Sequence, residues 1–368
     1  MPIEYPVIHS IGTAVPNFKI SQLEHSEVLA KSEGLSPVEM KLLKRVYNRS
    51  GIEYRYSVLE EFGRDYASDN TLFHSDPTTQ PAKISRRMEL FNQFAPELAL
   101  AASNDCLQHF PESAVDKITH VITFSCTGMS APGLDLQLAG LLGLPSNIER
   151  TCINFMGCYA AVNALKSAWH IARSAPEAVI LIAGVELCTL HYQRHKDAEH
   201  LVSNALFGDG AAAAIISSGN FSSHKLYEMN SFHAEFFPEG DATMVWKINE
   251  DGFDLKLDAY VPALIEKGIP GMTENAFAKM NISKDAIRHF ALHPGGVRIL
   301  EACERALNLT KADTSISHSI LNDFGNMSSV TILFVLKALA QKARRNEKVF
   351  ACAFGPGLTM ESLILTTN

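Results

Sequence analysis

The sequence has no CxxC pair, no HExxH motif, no long apolar run and no excess of positive charge, and each absence narrows what the chain does. The seven cysteines are odd in number and none stands in a CxxC pair, which argues against a disulfide framework or a zinc ribbon. The fourteen histidines are scattered; His191, His195 and His200 share one polar loop, too loosely spaced to read as a metal site, so no metal is expected. With 32 Lys and Arg against 40 Asp and Glu, the formal net charge is −8, which argues against general nucleic-acid binding. No apolar run reaches the roughly 18 residues of a membrane span. The opening stretch MPIEYPVIHSIGTAVP lacks a basic n-region and a cleavable apolar core, so no signal peptide is expected and the cytoplasm is the expected location.

What is present is a chain of 368 residues, 46% apolar and 20% charged, the composition of a globular enzyme with a large core. ITHVITFSC reads as an apolar strand, LDLQLAGLLGL as a helix, TCINF as a buried strand, and AVILIAGVE as another. This alternation predicts an α/β fold with the sheet buried between helices. Past residue 220 the pattern restarts: LYEMNSFHAEFF and MVWKINEDGFDLKL as strands, residues 258–280 helical with an interruption at Pro270-Gly271, and HFALHPGG as a strand and Gly turn. VRILEACERALNL then gives an amphipathic helix, and VFACAFGPG and LTMESLILT close the chain as two strands. The repetition predicts a duplicated architecture with halves at 1–220 and 221–368, and no low-complexity linker separates them. Residues 57–85 read as a surface excursion, Leu187 to Asn204 as a polar loop, and Phe207-Gly208-Asp209-Gly210 as a tight turn.

The stretch from Thr151 to Ser174 places Cys158 on a strand-to-helix turn at a helix N-terminus. Free N–H groups and the helix dipole there favour a thiolate, as in other nucleophile elbows. The same residue reads equally as a small buried hydrophobe. Two turns in the second half offer partners. His293 ends a strand in HPGG, and Asn326 precedes a helix in FGNMSS. Each alone reads as a capping residue. Together a Cys, a His and an Asn supply an activated nucleophile and two donors for one oxyanion. Lys41, Lys44, Arg45, Arg49 and Arg55 form the clearest basic cluster, either a solvated helix face or a grip for an anionic ligand.

GCYAA, ALFGDGAAA, HPGG, FGNMSS and FGPGLTMES together resemble the type III polyketide synthases, the chalcone synthase-like branch of the thiolase superfamily. The resemblance runs nearly end to end. It implies a five-layered, thiolase-like αβαβα fold and a homodimer. It implies CoA thioester substrates, with malonyl-CoA as extender and no further cofactor. It casts Cys158 as the acyl-carrying nucleophile paired with an imidazolium of His293, and His293 with Asn326 as the holders of the thioester oxygen. Phe207 matches a gatekeeper aromatic, and Arg45, Arg49 and Arg298 match positions that grip CoA phosphates. Thr127, Cys188, His191, Leu255, Ser328 and Gly357 match positions around the cavity, with Gly355-Pro356-Gly357 shaping its wall. Leu255 replaces a second gatekeeper aromatic, which is expected to open the mouth to an aliphatic chain. Cys188 and His191 replace threonines of the plant enzymes, Ala131 a methionine reaching into the neighbouring subunit, and Ala353 a glycine. MVWKINEDGF is similar to bacterial members, which make alkylpyrones, alkylresorcinols or phloroglucinols. The alternative the resemblance leaves is a single-round ketoacyl synthase served by an acyl carrier protein.

Overall fold

The structure is a computed structural model that describes residues 5–32, 35–63, 72, 82–193, 198–218, 221–240, 243–257 and 260–368. Nine strands form one mixed sheet. In the first half, Val7–Ala14 pairs antiparallel with Asp209–Ser217, which pairs antiparallel with Val179–Leu187; His120–Ser125 and Glu149–Asn154 then follow in parallel. The second half repeats the order. Tyr227–Phe236 pairs antiparallel with Thr359–Thr367, that strand antiparallel with Lys348–Gly355, and Ile287–Leu292 follows in parallel. The halves meet where Val7 and Ile8 pair with Glu228 and Tyr227.

Side-chain alternation builds the layers. Successive residues of a strand face opposite ways. Ile180 and Ile182 therefore join the central core while Val179, Leu181, Ala183 and Val185 join an outer one. In the second half Val349, Ala351 and Ala353 face the central core and Phe350, Cys352 and Phe354 the other outer one. Two helices, Ala160–Ser174 and Thr331–Ala340, fill the centre. Thr331–Ala340 is apolar nearly all round, as a helix covered on every side must be. Ile84–Leu107 covers one outside face, and Val261–Met280 with Val297–Leu307 covers the other. The order helix, sheet, helix, sheet, helix is the expected five-layered, thiolase-like α/β arrangement. Among the described residues no helix is long and apolar enough to cross a membrane.

Several local expectations need correction. Glu149–Asn154 is a strand but not a buried one: it is the sheet's edge, and most of its residues are exposed. Val261–Met280 continues through Pro270. The proline costs ~3 kcal/mol in a helix interior. Burying Ile265, Ile269, Met272 and Ala276 on the same helix outweighs that. Leu187 to Asn204 is not simply a polar loop, because Leu190, His191 and Tyr192 are buried and a helix, Ala198–Leu206, follows. Asp209 opens a strand rather than making a turn. Its buried carboxylate accepts from Val58 N (2.9 Å), Thr189 N (2.8 Å) and Thr189 Oγ1 (2.7 Å). Most of the excursion at 57–85 lies outside the described residues, as does His195.

Candidate active site

Cys158 sits between the edge strand and helix Ala160–Ser174. The chain turns sharply there, with Phe155 at φ 61° and Gly157 at φ 88°. Cys126 pins the turn: its Sγ accepts from Gly157 N (2.9 Å) and its thiol donates to Gly157 O (3.2 Å). A β-carbon on Gly157 would lie 2.1 Å from Pro356 Cδ, so only glycine lets the final hairpin loop close over the Cys158 turn.

His293 leaves the strand Ile287–Leu292, its N–H donating to Cys352 O at 2.9 Å. The side chain is 2% exposed, and neither ring nitrogen has a hydrogen-bond partner among the described residues. Asn326 follows Gly325, a residue at φ 70°. Its Oδ1 accepts from Ser328 N (2.8 Å) and its Nδ2 donates to Gly295 O (3.1 Å). The second bond ties the asparagine to the loop after His293 and leaves one amide hydrogen for a ligand. Asn326 is thus not the first cap of a regular helix, since Thr331–Ala340 begins five residues later behind a short 3-10 turn.

These three residues line one cleft, partly open to solvent. Ser328, Phe207, Cys188 and Leu255 line it too, with Trp246, Phe354 and Pro356. Ser328 Oγ stands 3.7 Å from Cys158 Sγ. A second, smaller hollow adjoins, and Cys188, Phe207, Trp246 and Leu255 line both. Two other expected pocket residues stand back from the cleft. Thr127 is fully buried behind it, its hydroxyl donating to Glu186 Oε2 at 2.9 Å. Gly357 lies beyond Pro356 at φ 70°. His191 faces the second chamber, stacked on Phe253 at 4.2 Å. Its Nδ1 accepts from Phe253 N (3.0 Å), so its other nitrogen carries the proton and donates to Thr127 O (2.7 Å). His200 pairs with Asp254 at 2.9 Å.

Burial sets the electrostatics of the cleft. Burial pushes the Cys158 thiol up to about 12; Ser328 pulls against this and the Glu186 carboxylate adds to it. Burial alone pushes His293 down to about 3. Burial of each group thus works against its charged form in the unliganded cleft. Desolvation outweighs the helix N-terminus.

Of the basic cluster, Lys41, Lys44, Arg45 and Arg49 are exposed on and just after helix Pro37–Asn48. Gly51 packs on Val297, where an added β-carbon would lie 3.2 Å from Val297 Cβ. This brings the segment after Arg49 against the one bearing the exposed Arg298, between pocket residues Gly295 and Ile299. Arg55 does not belong to this group, for it is wholly buried.

Glu186 escaped the sequence reading. It is 0% exposed; Oε2 accepts from Cys126 N (3.0 Å) and Thr127 Oγ1, while Oε1 accepts from Ser329 N (3.4 Å) and Ser329 Oγ. It thereby bonds the segment behind Cys158 to the turn after Asn326. The available signal was a lone charge in the otherwise apolar run VILIAGVEL. Trp246, whose Nε1 donates to Cys126 O at 2.9 Å, was missed as well.

Comparison with known proteins agrees with this geometry. The chain matches the N-terminal domain of chalcone and stilbene synthases over residues 5–220 and their C-terminal domain over 228–367. It is 30% identical to the alpha-pyrone synthesis polyketide synthase-like Pks18 of Mycobacterium tuberculosis, over 99% of this chain and 91% of that protein. It is equally similar, at 30%, to probable polyketide synthase 1 of Dictyostelium discoideum over 96% of this chain, but spans only 11% of that protein's length. Among solved structures, PKS-I of the brown alga Ectocarpus siliculosus matches with TM-score 0.90 and 28% identity, over 99% of this chain and 98% of that one. The C-terminal type III polyketide synthase domain of Steely1, a type I/III hybrid from Dictyostelium, gives 0.89 and 27%, over 99% of both chains.

Proposed function

Since the chain belongs to the chalcone and stilbene synthase family and is a type III polyketide synthase, acting on CoA thioesters, we propose that Cys158, His293 and Asn326 carry its condensation chemistry. The convergence of these three residues, from three distant segments, on one cleft is the observation that supports this reading.

In this mechanism Cys158 Sγ attacks the thioester carbonyl of an acyl-CoA starter. His293 takes the thiol proton as the C–S bond forms and returns it to the departing CoA sulfur, so the group is neutral before and after. Malonyl-CoA then enters with its thioester oxygen between His293 and the free amide hydrogen of Asn326. Loss of CO₂ leaves an enolate whose charge falls on that oxygen. The enolate carbon attacks the acyl–Cys158 carbonyl, a C–C bond forms, and the cysteine sulfur leaves as a thiolate that takes up one proton from solvent by way of His293, balancing the negative charge malonyl-CoA brought in. Apolar walls keep water from both the thioester and the enolate. Repetition extends the chain, which cyclises to a pyrone, resorcinol or phloroglucinol-type product. The mycobacterial relative's alpha-pyrone name and the Leu255 opening favour an aliphatic starter and a pyrone.

Arg45, Arg49 and Arg298 are proposed to hold the CoA phosphates at the mouth. No cofactor beyond the substrates takes part. The protein is proposed to be a homodimer built across the exposed edge strand, whose unpaired backbone otherwise invites association. Seven unpaired cysteines and CoA substrates fit a cytoplasmic enzyme.

The test is product mass. Purified protein with malonyl-CoA and starters from acetyl-CoA to long-chain acyl-CoAs is expected to yield products growing by successive acetate units, with CO₂ and free CoA released. A single added unit, formed only with acyl carrier protein, would overturn the iterative reading in favour of a single-round ketoacyl synthase.

A further inference from the structure

Helix Ala198–Leu206 ends beside the cleft, and its last carbonyls have an unusual set of partners. A helix end leaves its final carbonyls without intrahelical donors. Here Arg55 Nη1 donates to Asn204 O (2.8 Å) and to Phe207 O (2.7 Å). Arg55 Nε donates to Gln22 Oε1 (2.8 Å), and Gln22 Nε2 in turn donates to Ala205 O (2.6 Å). The remaining carbonyl, Leu206 O, accepts from the backbone N–H of Asn326 (2.9 Å), and Gly208 N donates back to Asn326 O (3.0 Å). The proposed catalytic asparagine is therefore one of the caps of a helix end whose side-chain caps are Arg55, Gln22 and, through a longer bond to Asn204 O (3.4 Å), Tyr47.

The chain is built around this guanidinium. A β-carbon on Gly325 would meet Arg55 Cγ at 2.8 Å and Leu206 O at 2.9 Å, and one on Gly208 would meet Phe324 O at 2.9 Å and Arg55 Cβ at 3.4 Å. Glycines on both sides of the bridge thus make room for the arginine stem. The positive charge at a helix carboxyl end is favourable, and buried Asp209 offsets it through space.

We propose that Arg55 is a positioning residue of the condensing site: by capping helix Ala198–Leu206 it fixes the Leu206–Gly208 segment, and through that segment both Asn326 and the cleft-wall residue Phe207. Arg55 touches no substrate and lines no part of the cleft. Its effect passes through the backbone to Asn326, whose side chain must keep its bonds to Gly295 O and Ser328 N to present its remaining amide hydrogen. The inference rests on the role assigned to Asn326 above.

The experiment measures two half-reactions separately in full-length Arg55→Met, Arg55→Lys, Gln22→Leu, Asn326→Ala and Arg55→Met/Asn326→Ala. Starter loading is read as the mass of acyl-Cys158, and CO₂ release is read from malonyl-CoA. Arg55→Met is expected to slow decarboxylation by about 10- to 100-fold, as misplacement by ~1 Å does, with loading within about threefold of wild type. Arg55→Lys, which keeps the charge but caps fewer carbonyls, falls between. The double variant is expected to match Asn326→Ala within about threefold, because residues acting as one unit do not lose activity independently. Losses that multiply in the double variant, or equal losses of loading and decarboxylation, would overturn the inference and leave Asn326 in place. Intact decarboxylation in Asn326→Ala would instead remove the catalytic reading on which it stands. If Arg55→Met does not fold, Gln22→Leu and Arg55→Lys carry the same comparison, and wild-type decarboxylation in both would refute it.

Discussion

Replacing Gly157 with alanine tests how the nucleophile is held. The new β-carbon has two penalties. At φ 88° it sits in left-handed backbone, which costs an L-residue ~1–2 kcal/mol. It also falls 2.1 Å from Pro356 Cδ and 2.9 Å from Pro356 Cγ, inside contact distance, with a rigid ring that cannot swing aside. Forced overpacking of this kind costs ~1–3 kcal/mol. The sum spans ~2–5 kcal/mol, centred on ~3.5 kcal/mol. At ~2.1 cal/mol/K per residue, 368 residues have an unfolding entropy near ~0.8 kcal/mol/K, so Tm is expected to fall by ~4 °C. The relief available is to move the Gly355–Gly357 loop or the Cys158 turn. Either shifts Sγ relative to Asn326 and His293, and loading of Cys158 is expected to slow by ~10²-fold. Differential scanning calorimetry and the mass of the acyl-enzyme check both. A variant that melts within about 1 °C of wild type and loads at the wild-type rate would show that the hairpin loop does not press on the turn, and the reasoning would fail.

Other outcomes follow from the same geometry. Leu255→Phe narrows the opening between the two chambers, so kcat/KM for long-chain starters is expected to drop ~10-fold or more while acetyl-CoA is little affected; uniform loss across chain lengths would refute the aperture. Burial pushes Asp209 up to about 7, against the pull of its bonds to Thr189 and Val58. An unfolded aspartate titrates near ~3.9, so between these values the folded state keeps a proton that the unfolded state has lost. Stability from this group therefore falls as pH rises from ~4 to ~7, by up to ~4 kcal/mol. Asp209→Asn is expected to flatten the urea-derived stability profile over that range, and an unchanged slope would count against it. Because the Cys158 thiol is pushed up to about 12, its alkylation by iodoacetamide is expected to be slow at pH 6 and to climb steadily with alkalinity. Fast labelling at pH 6 that disappears in His293→Ala would restore the ion pair.

The layers and the three converging residues were legible because their signals are local. A strand buried between helices shows a continuous apolar run, and VILIAGVEL and VFACAFG are such runs. Cys158 and Asn326 each follow a glycine and His293 stands before Pro294 and a Gly-Gly pair, all at changes of secondary structure where a side chain escapes the sheet. Arg55 misled because sequence places it four residues from Gly51 in a basic stretch. Its neighbours at Lys41, Lys44, Arg45 and Arg49 stay on a solvated helix, whereas Arg55 enters the short strand Tyr54–Ser57 and turns inward. Glu186 was overlooked because a carboxylate ending a strand has no local motif. Its four donors come from residues 126, 127 and 329, far apart in the chain.

By itself, then, the order of residues determined which segments are strands and helices, that the pattern occurs twice, and that Cys158, His293 and Asn326 are candidates for one site. Periodicity and turn chemistry act over a few residues, and a linear string carries them completely. Only the tertiary structure decided that the edge strand is exposed, that the helix runs on through Pro270, that Thr127 backs the cleft rather than lining it, and that a buried arginine holds the helix end to which Asn326 is bonded. It also decided how strongly burial bears on Cys158 and His293. Desolvation depends on everything packed around a group, and those neighbours are assembled from both halves of the chain.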